Sequence, residues 1–97
     1  MKSLSNVSVD NVECSGYKVD YSTLYLLKNK ESGIVIEEVP LKSIIDIYHE
    51  SFHNNNLITM SKFNNESVIL KFKKVDDLLE VKKDIKAQWL NYQQDRK

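Results

Sequence analysis

The stretch Asp76-Asp-Leu-Leu-Glu80-Val-Lys-Lys-Asp-Ile85-Lys-Ala-Gln-Trp-Leu90-Asn-Tyr-Gln93 sets Leu78, Val81, Ile85, Trp89 and Tyr92 at spacings of three, four, four and three. An α-helix keeps one face against a core at that period, so the spacing predicts a single amphipathic helix over residues 76–93. Asp76 or Asp77 reads as its cap, with Glu80 three residues after Asp77 completing a partial capping box. The acids near the start and Lys82, Lys83 and Lys86 further along suit the helix dipole. Trp89 belongs to the apolar stripe and therefore reads as a core plug rather than a recognition aromatic.

Everything upstream of that helix reads as strand. Residues 7–14 form a first strand punctuated by Ser15-Gly16, and residues 17–28 carry extended, β-rich character. Asn29 to Gly33 has the composition of a hairpin connection, and residues 34–39 are the next strand, ended by Pro40. Segment 41–53 is ambiguous: Ile44, Ile45, Tyr48 and Phe52 fit a helical face. Its β-branched isoleucines and the two-residue period of Ile45, Ile47 and His49 favour a strand. Residues 57–63 and 68–73 pair as a hairpin about Asn64-Asn65, with Val68, Leu70 and Phe72 turned to the core and Ile69, Lys71 and Lys73 turned out.

Helix and strands together give a mainly β fold with one C-terminal α-helix. The expected form is a curled antiparallel sheet or partly open β-barrel of six to seven strands, capped by helix 76–93. Ninety-seven residues make a single domain over 1–97, with 1–5 and 94–97 expected to be flexible. Apolar residues of both parities, notably Ile45, Ile58, Met60 and Ile69, imply two dry sheet faces, and one helix covers only one of them. A homodimer through the second face is the corresponding expectation.

Thr23-Leu-Tyr-Leu-Leu-Lys-Asn-Lys30, followed by Ile34-Val-Ile-Glu-Glu-Val-Pro-Leu-Lys-Ser-Ile-Ile-Asp-Ile-Tyr48, a hairpin and a closing helix, resembles the pleckstrin-homology-like superfold, nearer its GRAM and bacterial PH-type branches. The resemblance implies a scaffold that binds phosphoinositides, peptides or folded domains. Lipid-reading members carry several basic residues in the loop between their first strands. Here that neighbourhood offers Lys18, with Lys28 and Lys30 in the next turn offset by Glu31, so these three are the candidate lipid contacts and strong membrane binding is not expected. The resemblance favours protein binding through a sheet edge or the groove beside the helix, whose free side carries Lys82, Lys83, Lys86 and Gln93.

Fourteen basic residues balance fourteen acidic ones, and arginine occurs only at Arg96, so no global field or bidentate phosphate reader points to nucleic acid. The lone Cys14 forms no internal disulfide, and no run approaches the roughly 20 apolar residues of a membrane-spanning helix. A cytoplasmic protein is expected. The Lys-, Asn-, Ile- and Ser-rich composition suits a bacterium or phage of low GC content.

One motif carries specific chemistry. His49-Glu50-Ser51-Phe52-His53 fits H-E-x-x-H, in which two histidines one helical turn apart hold Zn²⁺ and the glutamate acts as base. In a strand the same residues stand about 13 Å apart. A third histidine is missing. His49 and His53 are thus the candidate metal ligands of an alternative zinc-hydrolase reading. The preferred reading has no catalytic residues, no cofactor and no enzyme activity. It is a protein-binding or regulatory module, with a peripheral lipid-binding adaptor as its other alternative.

Overall fold

The computed structural model describes residues 1–95. Strands β1 (Lys2–Ser3), β2 (Val7–Val9), β3 (Val12–Val19), β4 (Thr23–Lys30) and β5 (Gly33–Pro40) lead into a 3₁₀ turn at Leu41–Ser43. Strands β6 (Ile44–Phe52), β7 (Asn55–Lys62) and β8 (Ser67–Phe72) then precede helix α1 (Val75–Asp95). Every strand pairing is antiparallel, in the order β5-β4-β3-β2-β8-β7-β6, with β1 alongside β2 on the edge of β3.

The sheet is open, which agrees with the partly open form expected and corrects the expectation of a β-barrel as such. Closure requires a ladder between the two terminal strands. Here β5 and β6 end the path at opposite sides and are joined only through the 3₁₀ turn, while the helix lies over the inner face. The mainly β architecture with a single C-terminal helical cap is as the sequence implies.

The helix stripe is confirmed residue by residue. Leu78, Val81 and Ile85 are buried, Trp89 and Tyr92 pack on the core's rim, and the Trp89 indole N–H donates to the Ile44 carbonyl at 3.1 Å. The helix begins one residue earlier than expected. Leu78 N–H donates to the Lys74 carbonyl, which puts Lys74 at the cap position and Asp76 and Asp77 inside the first turn. Their charge still meets the positive helix end.

Several strand boundaries also differ from the sequence reading. The expected first strand is two, β2 and β3, reversed at Asp10-Asn11, whose φ values of 49° and 68° are those of a two-residue I′ turn. Gly16 does not punctuate a strand but lies within β3, beside a bulge. A Cβ there would sit 3.0 Å from the Lys2 carbonyl, so the residue's lack of a side chain is what admits β1. Residues 1–5, expected to be flexible, contain that paired strand. Of the tail expected to be flexible over 94–97, residues 94–95 continue α1, and 96–97, with Arg96, lie outside the described residues.

Within segment 41–53, Ile44–Phe52 form the strand the sequence favoured, after the 3₁₀ turn at Leu41–Ser43, but its parity breaks. A register shift between Ile44 and Asp46 lets both Ile44 and Ile47 face the core and leaves Ile45 outside. The last hairpin is as read, with Val68, Leu70 and Phe72 buried and Ile69 exposed. Ile58 and Met60 are fully buried on the core face, so of the four residues expected to make a second dry face only Ile45 and Ile69 are exposed.

Candidate functional site

The motif His49-Glu50-x-x-His53 is pulled apart by its local structure. His49 lies on β6, where the Lys82 ammonium donates to its Nδ1 at 2.6 Å. His53 is in the turn between β6 and β7, at φ 49°, with its ring edge-on to Phe52 at 4.0 Å. Among the described residues no three His, Cys, Asp or Glu side chains gather as a metal would require.

The candidate lipid contacts do not converge either. Lys18 is exposed on β3, opposite Tyr25, and Lys30 closes β4 about 16 Å further along by strand rise. Lys28 shares the β4 face of Lys30, Leu24 and Leu26, opposite to that of Lys18, and is buried, its ammonium 2.6 Å from the Glu37 carboxylate. On α1, Lys83, Lys86 and Gln93 are exposed as expected, while Lys82 bends to His49.

A groove runs between α1 and the β1–β3 edge. It encloses about 420 Å³ and is lined by Met1, Lys2, Tyr17, Lys18, Val19 and Asp84, among others. At its floor the Tyr17 hydroxyl donates to Asp84 Oδ2 at 2.6 Å and the Lys2 ammonium to the same oxygen at 2.7 Å. The Lys2 bond, followed by the Tyr17 bond, holds the Asp84 carboxyl below its usual range. Burial, then the bond to Asp84, pushes the Tyr17 phenol far above its own. Sequence reasoning missed this cluster because its members stand 67 and 82 residues apart. Its polar groups satisfy one another, so it works as a latch tying β1 and β3 to the helix.

The other feature is the outer edge of β5, a sheet edge of the kind expected but not located from the sequence. Leu41 N–H donates to the Ser22 carbonyl, and the β4–β5 ladder runs in one register from Thr23↔Pro40 to Lys30↔Gly33. Alternate residues of an antiparallel edge strand bond inward. On that parity Val35, Glu37 and Val39 bond to β4, and Ile34, Ile36 and Glu38 turn their N–H and C=O groups outward. Ile34 is 68% exposed, Ile36 53% and Val35 40%. Among the described residues no strand pairs with this edge.

The opposite edge, β6, is treated differently. It has the bulge at Ile45, charged Asp46 and Glu50, the Trp89 bond to the Ile44 carbonyl and the Lys82 reach to His49. Bulges, charges and a covering helix are the usual means of blocking strand addition. β5 carries only Glu37, turned to Lys28, Glu38 and the terminal Pro40.

Comparison with known proteins finds no matching family model, curated protein or solved structure.

Proposed function

We propose that the protein is a non-catalytic protein-binding module of pleckstrin-homology-like architecture, acting by pairing the free edge of β5 with an extended strand of another polypeptide. The observation that carries this reading is the run Ile34-Val35-Ile36, exposed on a terminal strand whose outward backbone groups have no partner strand among the described residues. Main-chain bonds along such an edge supply affinity, and the isoleucine side chains supply selectivity. The architectural likeness is supported by a seven-strand path closed over by a C-terminal helix. A reducing, cytoplasmic setting suits a single buried thiol.

The groove beside α1 is the weaker docking surface, because Asp84 already accepts from both Tyr17 and Lys2. The lipid-adaptor reading is weakened by the scatter of Lys18, Lys28 and Lys30, and the zinc-hydrolase reading by the separation of His49 from His53 across a strand end.

A photoreactive side chain at position 36 tests the proposal in cells that make the full chain. A protein adduct that disappears with Ile34→Lys supports the edge. Adducts that form only from positions 83 or 86 on α1 refute it.

A further inference from the structure

We infer that the strand received by β5 is β5 of a second copy, in a two-fold dimer centred on Val35. The inference rests on the reading of β5 as the binding edge, and self-complementarity of the strand carries it. In an antiparallel pair the outward-facing residues Ile34, Ile36 and Glu38 must bond to outward-facing residues of the incoming strand. Only registers that match even positions with even positions satisfy this.

The register centred on Val35 sets Ile34 opposite Ile36 of the second copy, twice by symmetry. Val35 faces its own counterpart, Glu37 falls opposite Gly33, and Glu38 falls opposite Ser32. The neighbouring registers are poorer. Centring on Ile36 puts Ile34 opposite Glu38 and Val35 opposite Glu37; centring on Glu37 sets that carboxylate against itself; centring on Ile34 puts Glu31 against Glu37. Like charges directly opposite are destabilising, and apolar β-branched pairs are stabilising. One register therefore unites four isoleucines and two valines and opposes no two acids. Such a two-fold contact is also the commonest form of closed assembly.

The geometry predicts a specific cross-link. Val35 faces its counterpart in a non-hydrogen-bonded pair, where Cα atoms approach to about 4.5 Å, within the span a disulfide bridges. Val35→Cys should oxidise to a covalent dimer, while Ile34→Cys, two pairs away from its own counterpart, should not. Cys14 is buried and does not compete. Light scattering should give twice the chain mass for the parent protein, and Ile36→Lys should weaken dimerisation at least about tenfold.

Ile36→Pro is a second probe, since on this parity its N–H faces outward and the loss breaks no bond to β4. It should be monomeric with unchanged helical circular dichroism. A monomeric parent at high concentration overturns the dimer but leaves the edge reading intact if position 36 still cross-links to another protein in cells. A dimer that persists in both Ile36 variants, or that cross-links through Ile34→Cys rather than Val35→Cys, overturns the register and the surface. Absence of any adduct from position 36 in cells, with a monomeric parent, overturns both readings.

Discussion

Ile85→Ala tests whether α1 completes the core or merely decorates it. Ile85 is fully buried at the centre of the stripe, between Val81 and Trp89. The change deletes three carbons, worth about 2.4 kcal/mol at roughly 0.8 kcal/mol per buried CH₂. A partly collapsed cavity brings the cost to about 3 kcal/mol, inside the usual range of about 2–5 for such truncations. For a domain of this size each kcal/mol moves the midpoint by about 4–8 °C, so Tm should fall by about 12–24 °C. Leu79→Ala is the internal reference, because Leu79 is 47% exposed one position from the buried Leu78. It should cost about 1 kcal/mol or less. Urea unfolding of both variants should show unchanged slopes and separated midpoints. If Ile85→Ala falls within about 1 kcal/mol of Leu79→Ala, the helix is not the lid described above.

Four further outcomes follow from the described contacts. Asp84 is held below its ordinary 3.8, so the stability it contributes is present above that pH and is lost as pH falls through its lower folded value; Asp84→Asn should flatten the acid limb of the stability profile. Tyr17 is raised above its ordinary 10.0, so its contribution holds below pH 10 and is lost as pH rises beyond it; Tyr17→Phe should unfold less steeply in alkali. Glu37→Gln leaves the buried Lys28 ammonium without its counter-charge and should cost about 2 kcal/mol in a thermal or urea titration, whereas Lys28→Met, which leaves a Glu37 side chain 29% exposed, should cost less. His53-Asn54, at φ 49° and 64° between paired Phe52 and Asn55, also form a two-residue I′ turn; replacing them with Asn-Gly should stabilise the β6–β7 hairpin by about 1 kcal/mol, and a loss of stability would contradict that turn type.

Local patterns were legible in the sequence wherever one element decided its own face. The stripe Leu78, Val81, Ile85 and the alternation Val68, Leu70, Phe72 depend only on the periods of a helix and a strand, and both were read correctly. Bulges defeated the same reasoning. One extra residue at Ile45 reverses the parity of β6, and nothing in Ile44-Ile45-Asp46 distinguishes a bulge from regular pairing. The Asp10-Asn11 reversal did carry a signal, two residues that tolerate positive φ, but the apolar residues around it read as one continuous strand. Gly16 misled because glycine marks both a turn and a close backbone approach, and only the arrival of β1 from the other side decides between them.

The candidate site was out of reach for a related reason. A face is a property of one element, but an edge is a property of the whole strand order. Ile34-Val35-Ile36 read simply as a β-branched strand, equally suited to the centre of a sheet or its margin. The order β5-β4-β3-β2-β8-β7-β6 makes it a margin, and that order depends on β2 joining β3 to β8 through only three residues. A single helix then has two sheet ends to guard. Trp89 and Lys82 tie it to β6, through Ile44 and His49, and no described contact of that kind ties it to β5. Blunting β5 in the manner of β6 would take outward charge in place of Ile34 and Ile36.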